Sequence, residues 1–169
     1  MKPKIIKAHM EVAEVYAKLS TARRLQVGAI IVKDDRIISI GYNGMPSGWD
    51  NNCEDKTYIS DAELLAWLDP SDITKRFPFE EIKNGERTRY ALTTKPEVLH
   101  AEANAIAKVA RSPESAEGAV LFVTHAPCID CAKLVYQSGI KQLFYKDNYR
   151  SDAGIAFLKQ AGVNINKVE

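Results

Sequence analysis

The sequence predicts an α/β protein, and three observations support this class. Five short apolar runs have the length and composition of buried strands, and segments with helical spacing of apolar residues alternate with them. Hydrophobic residues make up 46% and charged residues 27% of the 169 positions, which is ordinary for a globular protein. A chain of this length can bury a sizeable core, so we expect residues 1–169 to form one domain.

Strands and helices are expected in alternation along the chain. The predicted strands cover residues 27–32, 37–42, 119–124, 141–146 and 163–168. The predicted helices cover residues 4–19, 61–68, 100–111, 127–138 and 151–161. A polar turn at 33–36 joins the first two strands as a hairpin. His9 falls on or beside the apolar stripe of the first helix, where a packing or surface role is expected.

Residues 49–97 are the least regular part of the chain and are predicted to be an insertion. Apart from the short helix at 61–68, the stretch from Phe77 to Arg89 resembles a set of connections. Structureless loops of this length are uncommon in compact domains, so we expect the insertion to be ordered and functional.

Charge and cysteine content argue against several classes of protein. The net charge is +1, from 23 basic and 22 acidic residues, which argues against a long nucleic-acid-binding surface. No apolar run approaches the roughly 20 residues of a membrane span, and the N-terminus does not resemble a signal peptide. Three cysteines, two of them spaced C-x-x-C, argue against a disulfide framework. We expect a cytoplasmic enzyme that binds neither membranes nor nucleic acid polymers.

The chemistry-bearing stretch runs from His100 to Cys131. His100, Cys128 and Cys131 offer one imidazole and two thiolates, a set that suits zinc and leaves a fourth tetrahedral position for water. Both segments are predicted to begin helices, whose positive ends favour thiolates. Glu102, two residues from the imidazole, is expected to move protons without binding metal. His-x-Glu followed by Pro-Cys-x-x-Cys is the pattern of zinc nucleobase deaminases.

A structural zinc site is the alternative for this trio, and it would need a fourth protein ligand. Cys53 and His125 are the candidates, although neither stands at a familiar spacing. The position of Glu102 favours an open, catalytic site over a closed one. Cys53 is otherwise expected to be a structural or free thiol.

Two further motifs remain open from the local sequence. Arg23 and Arg24 precede the first strand, and they would form either a solvated loop or a grip on a single phosphate, which guanidinium matches in bidentate fashion. Asn43 leaves the second strand just before Gly44. It would either adopt a left-handed turn conformation or hold a sugar hydroxyl.

At these positions the chain resembles the cytidine and deoxycytidylate deaminase superfamily, and within it the deoxycytidylate (dCMP) deaminases. Besides the zinc motif, the resemblance depends on segments 27–29, 41–46 and 137–141, and it covers residues 8–165. It implies a three-layer, cytidine-deaminase-like α/β fold with a five-stranded mixed sheet flanked by helices. It also implies zinc-dependent hydrolysis of dCMP to dUMP and ammonia, which supplies dUMP for thymidylate synthesis.

The resemblance also assigns roles to residues. It implies one catalytic zinc per chain, held by His100, Cys128 and Cys131, with Glu102 shuttling protons. The implied substrate-binding residues are Ser20, Arg24, Asn43, Thr124 and Tyr149. Among these, Asn43 would meet the sugar, while Ser20, Arg24 and Tyr149 would lie near the 5′-phosphate.

Regulation and assembly are also implied by the resemblance alone. Relatives are commonly homo-hexamers that are activated by dCTP and inhibited by dTTP together with Mg²⁺. The implied effector-site residues are Gly44, Asn51 and Arg111. Some relatives hold a second, structural zinc in the insertion, but this chain offers only Cys53 there, so we expect no second zinc.

Two other functions remain as alternatives. The first is another cytidine deaminase or a tRNA adenosine deaminase, which shares the zinc motif; the near-neutral charge disfavours a tRNA substrate. The second is a non-catalytic nucleotide-binding protein that retains a structural zinc.

Overall fold

A five-stranded mixed sheet forms the centre of the protein. The structure is a computed structural model that describes residues 1–59 and 69–168. In chain order its elements are α1 (Pro3–Ala17), β1 (Gly28–Lys33), β2 (Arg36–Tyr42), β3 (Glu54–Tyr58), α2 (Pro70–Arg76), β4 (Phe79–Lys83), β5 (Glu86–Thr94), α3 (Ala101–Ala110), β6 (Val120–His125), α4 (Ile129–Gln137), β7 (Gln142–Asp147), α5 (Ala153–Gln160) and β8 (Asn164–Lys167). The central sheet has the order β2-β1-β6-β7-β8. β1 runs antiparallel to β2 and β6, whereas β6, β7 and β8 are mutually parallel.

Helices cover both faces of this sheet and make three layers. Alternate side chains of the strands point to opposite faces, so Ile30 and Phe122 pack with Met10 and Ala13 of α1. The other face of the sheet packs against α3, α4 and α5 through a larger apolar cluster. Full burial of side chains such as Ile30 contributes roughly 1.5–3 kcal/mol each. The predicted fold class, a three-layer α/β fold with a five-stranded mixed sheet, is confirmed.

Gly41 allows α3 to approach the sheet closely. A Cβ atom at this position would lie 2.1 Å from the carbonyl oxygen of Ala101 and 2.7 Å from the backbone nitrogen of Ala105. Any other residue would therefore push the helix away from β2. This close approach fixes the first turn of α3, which carries Glu102, against the central sheet.

The insertion contains a second sheet with the order β3-β5-β4, all antiparallel. The prediction of connections between Phe77 and Arg89 is therefore wrong, because β4 and the start of β5 occupy this stretch. Asn84 and Gly85, both with positive φ, form the tight turn between them. The helix predicted at 61–68 lies outside the described residues.

The first helix and the first hairpin agree with expectation. α1 spans Pro3–Ala17, and Asp34 and Asp35, with φ of 50° and 57°, turn the chain between β1 and β2. His9 packs on Phe122 with ring centroids 5.1 Å apart, which confirms its packing role. In the described part of the chain, no helix is long and apolar enough to cross a membrane.

Candidate active site

A cleft of about 840 Å³ lies between the insertion and the edge of the central sheet at which β6 and β7 end. The parallel strands β6 and β7 lead into it at their carboxyl ends, where α/β proteins commonly bind ligands. The predicted site residues that line this cleft are Arg24, Asn43, His100, Glu102, Cys128 and Tyr149. The fold thus brings together side chains from five separate segments of the chain.

Three metal-ligating atoms meet beside the cleft. The Nδ1 atom of His100 lies 3.6 Å from Sγ of Cys128 and 3.3 Å from Sγ of Cys131. Zinc bonds of about 2.0–2.1 Å to nitrogen and 2.3 Å to sulfur, at tetrahedral angles, place such atoms roughly 3.6 Å apart. The trio therefore fits a zinc ion. Within residues 1–59 and 69–168, neither Cys53 nor His125 joins this group as a fourth ligand.

The pKa values of the two thiols shift in opposite directions because the two groups interact. A hydrogen bond from Cys131 lowers the pKa of Cys128 to about 4, and His100 adds to the effect. The same bond, together with burial, raises the pKa of Cys131. The interaction with Cys128 also raises the pKa of His100. Zinc binding requires deprotonated thiols and a neutral imidazole, so a bound ion would displace protons from these ligands.

Glu102 is buried in the first turn of α3, with 4% of its surface exposed. Burial raises the pKa of its carboxyl, although its own backbone N–H and His100 act in the opposite direction. A carboxyl group in such surroundings holds a proton closer to neutral pH than an exposed one does. Glu102 is thus suited to accepting and returning a proton next to the metal ligands.

Local backbone features hold the thiol-bearing loop in place. Cys128 is the N-cap of α4, and its Sγ accepts a hydrogen bond from the backbone N–H of Cys131 at 3.5 Å. Gly154 of α5 lies against this loop, because a Cβ there would be 2.1 Å from the carbonyl oxygen of Pro127. Close packing of α5 therefore fixes the position of Cys128.

Asn43 braces the loop that enters β1. Its Oδ1 accepts a hydrogen bond from the backbone N–H of Val27, and its Nδ2 donates to the carbonyl of Leu25, each at 2.8 Å. Asn43 does not have a positive φ, so the interpretation of this residue as a left-handed turn position is wrong. The carboxamide still has one N–H and one lone pair beyond these two bonds, on a residue that lines the cleft.

Arg24 and Tyr149 reach the cleft from different loops. Arg24 lies in the turn before β1, and its Nη1 donates to Oγ1 of Thr94 at 3.0 Å. Tyr149 follows β7 beside Arg150, whose guanidinium lies 5.4 Å from the centre of the Tyr149 ring. Both residues therefore lie where a bound small molecule would meet them.

Ser20 and Thr124 are buried and do not line the cleft. Oγ of Ser20 accepts a hydrogen bond from the backbone N–H of Ala22 at 3.2 Å. Oγ1 of Thr124 accepts one from the backbone N–H of Gly28 at 3.2 Å. In this structure the two hydroxyls support the loops that line the cleft.

The three residues predicted for effector binding lie apart from the cleft lining. Gly44 forms a two-bond antiparallel bridge with Leu99, with N···O distances of 3.1 and 2.9 Å. The carbonyl of Asn51 accepts a hydrogen bond from Oγ1 of Thr21 at 2.9 Å. Arg111 is the exposed C-cap of α3. The structure therefore does not gather these three residues around the substrate cleft.

Sequence reasoning did not assign several residues of the cleft lining to the substrate site, among them Glu54, Lys95 and His125. Glu54 and Lys95 belong to the insertion, where no motif marks them. His125 ends β6, and its sequence context suggested only a possible metal ligand, although the carboxyl end of a parallel strand was a usable signal. Burial lowers the pKa of His125 while Asp147, 3.9 Å away, raises it.

Comparison with known proteins gives consistent results. The sequence profile of the cytidine and deoxycytidylate deaminase zinc-binding region matches residues 3–147. The deoxycytidylate deaminase of Enterobacteria phage T4 is 34% identical over 179 residues, which covers 94% of this chain and 91% of that protein. The deoxycytidylate deaminase of Mus musculus is 34% identical over 164 residues, covering 94% of this chain and 76% of that protein.

A solved structure extends the similarity to three dimensions. The crystal structure of dCMP deaminase from the cyanophage S-TIM5, in complex with dCMP and dUMP, superposes with a TM-score of 0.75 at 38% identity and covers 99% of both chains. The profile match over most of the chain, the sequence relatives and this structure agree with the geometry of the metal trio and Glu102. The chain therefore belongs to the cytidine and deoxycytidylate deaminase family.

Proposed function

We propose that this protein is a zinc-dependent enzyme that hydrolyses dCMP to dUMP and ammonia, supplying dUMP for thymidylate synthesis. The observation that supports the reaction type most strongly is the buried carboxyl of Glu102 beside three ligand atoms at zinc-binding separations. The choice of dCMP is supported by the similarity to the S-TIM5 dCMP deaminase and to its T4 counterpart.

In this proposal His100, Cys128 and Cys131 hold the ion. Bound zinc supplies a Lewis acid that makes a water ligand acidic near neutral pH. Glu102 would take the two protons of the attacking water in turn, delivering one to the ring nitrogen and the other to the departing amine. The water oxygen bonds to C4 of cytosine, the bond from C4 to the amino nitrogen breaks, and a carbonyl and ammonia result.

The nucleotide is oriented by residues around the cleft. Asn43 meets the sugar through the hydrogen-bonding capacity that its two backbone contacts leave unused. Arg24 and Tyr149 lie near the 5′-phosphate, since guanidinium pairs well with phosphate oxygens. Ser20 and Thr124 contribute from behind the cleft through the loops that they support.

Regulation, assembly and location follow the family resemblance. We propose that dCTP activates the enzyme and that dTTP with Mg²⁺ inhibits it, at a site that includes Gly44, Asn51 and Arg111. The active form is a homo-hexamer in which residues 1–169 act as one domain with an insertion at 49–97. Cys53, Cys128 and Cys131 are all free thiols, which suits a reducing cytoplasm.

Ammonia release from purified, zinc-loaded protein tests the activity. dCMP, cytidine and tRNA are offered separately, with and without dCTP and dTTP, and native mass is measured in parallel. We expect turnover of dCMP and a mass of six chains that responds to the effectors. Absence of dCMP turnover under every condition would contradict the proposed activity, and turnover of tRNA alone would assign the chain to a different substrate class.

A further inference from the structure

Glu54 is a buried carboxylate at the first position of β3, outside the zinc motif. The residue is 1% exposed, and a buried charge is costly unless its oxygens are paired. Its Oε1 accepts hydrogen bonds from the backbone N–H groups of Arg23 at 2.9 Å and Arg24 at 3.1 Å. Its Oε2 lies 3.5 Å from Nε of Arg23. Glu54 therefore fixes the backbone of the turn that precedes β1.

The start of the insertion surrounds this turn with further contacts. Oγ1 of Thr21 donates to the carbonyl of Asn51 at 2.9 Å, and Nη2 of Arg23 donates to Oδ1 of Asn52 at 3.4 Å. These bonds join segments about 30 positions apart in the sequence. The position of the turn is thus set by the insertion as well as by the central sheet.

Two paired residues of the insertion sheet contact Arg24, one at its backbone and the other at its guanidinium group. Thr94 on β5 stands directly opposite Glu54 on β3, and its Oγ1 accepts the hydrogen bond from Nη1 of Arg24. Glu54 accepts from the backbone of the same arginine. In the described residues Arg23 pairs with a carboxylate, whereas no ion pair involves Arg24, which leaves the Arg24 charge available to an anion in the cleft.

We propose that Glu54 is a positioning residue which, together with Thr94, aims Arg24 at the 5′-phosphate of the nucleotide. The inference depends on the proposed function, because it assigns the phosphate as the group that Arg24 meets. Glu54 touches neither the reacting atoms nor the metal ligands. Its effect on the reaction passes through Arg24, so it is expected in the KM for dCMP.

A double-mutant cycle tests this coupling with the zinc-loaded enzyme and dCMP. Glu54→Ala should lower kcat/KM about tenfold or more, mainly through KM, and Arg24→Ala should lower it further. The double variant should lie within about twofold of Arg24→Ala alone, because Glu54 has no effect once its target is absent. Glu54→Gln keeps an oxygen for both backbone N–H groups and should stay within about threefold of the wild type.

Two further variants separate positioning from loss of structure. Thr94→Val leaves Glu54 in place and removes only the contact to Nη1 of Arg24, so KM should rise roughly threefold to tenfold. Arg23→Ala removes the neighbouring guanidinium, which does not line the cleft, and should raise KM less than Arg24→Ala. Zinc content and thermal unfolding are recorded for every variant.

The outcomes distinguish this inference from the proposed function. If the wild type turns over dCMP but the effects of Glu54→Ala and Arg24→Ala simply add, the positioning role is wrong and the activity stands. A change confined to kcat would likewise rule out the positioning role and leave the activity in place. Should Glu54→Ala fail to fold, an unchanged KM in Thr94→Val would overturn the inference. An inactive wild type would overturn both proposals.

Discussion

The two sheets of this protein are held together by different forces. In the central sheet, Ile30 and Ile31 on adjacent positions of β1 are fully buried on opposite faces. In the insertion sheet, contacts between charged and aromatic groups dominate: Lys56 pairs with Glu81 and lies 4.5 Å from the ring centre of Tyr90. Close packing fixes atoms more firmly than exposed ion pairs do, because water screens and replaces the latter.

The residues of the proposed reaction divide between the central sheet and the insertion in the same way. The metal trio and Glu102 lie at the N-terminal ends of α3 and α4, which pack against the central sheet. The insertion contributes Glu54 and Lys95 to the cleft lining. A reaction that needs atoms placed within fractions of an ångström suits the rigid layer, whereas recognition tolerates a less buried module. The comparison predicts that core changes affect catalysis and metal, and that insertion changes affect substrate binding.

The largest expected effect is at Glu102. Replacing Glu102 by Gln should lower kcat for dCMP by about 10²–10⁴-fold, because the amide cannot take a proton from water. The zinc content should stay near one per chain, since Glu102 is not a ligand. Ammonia release and metal analysis provide the two measurements. Glu114→Gln, a change at the surface pair with Arg36, serves as the control. Undiminished turnover in the Glu102 variant would remove this residue from the mechanism.

A pair of buried cysteines compares the two regions directly. Cys131 belongs to the metal trio, whereas Cys53 in the insertion packs with Ala22 and Val98. Cys131→Ser should lose most of the bound zinc and the activity, because a hydroxyl replaces a thiolate ligand. Cys53→Ser should retain both. Metal analysis after dialysis measures the difference, and equal zinc loss in both variants would show that the insertion also binds the ion.

The smallest expected effect concerns His9, a partly buried side chain that packs on Phe122. Its Nε2 is buried and has no hydrogen-bond partner among the described residues, and burial lowers the pKa of the ring against the influence of Asp35. The folded state therefore disfavours the imidazolium, and stability falls as the pH drops below the unfolded value of about 6.5. His9→Phe should stabilise the protein by about 1 kcal/mol at pH 7.5.

The gain from His9→Phe should be larger at pH 5, where unfolded His9 binds a proton that the folded protein resists. Urea unfolding at both pH values measures the difference in unfolding free energy between the variant and the wild type. The exposed neighbour Lys7→Gln should keep the pH dependence of the wild type. If His9→Phe and the wild type lose the same stability on acidification, His9 does not cause the loss of stability at low pH.

The metal trio and Glu102 could be predicted from the sequence because few residue types ligate zinc or move protons, and their spacing is local. The insertion sheet could not be predicted from the sequence. Its strands carry charges on both faces, so the alternation of apolar and polar residues that marks a strand is absent, and only Asn84-Gly85 indicated a hairpin. Glu54 was missed because its partners lie about 30 positions away and are backbone groups, which carry no sequence signal.

The bridge between Gly44 and Leu99 has a consequence for engineering. Directly paired antiparallel residues stand only about 5 Å apart, so the intervening chain leaves the central fold and returns to it at nearly one point. The two ends of this segment therefore lie side by side, as the ends of an exchangeable insertion must. An exchange with the segment of a relative should keep the two bridge residues and also the contacts of Asn51 and Glu54 with the turn before β1. An exchange that loses them would change the contacts that the segment makes with Arg24, while the metal trio stays with the host.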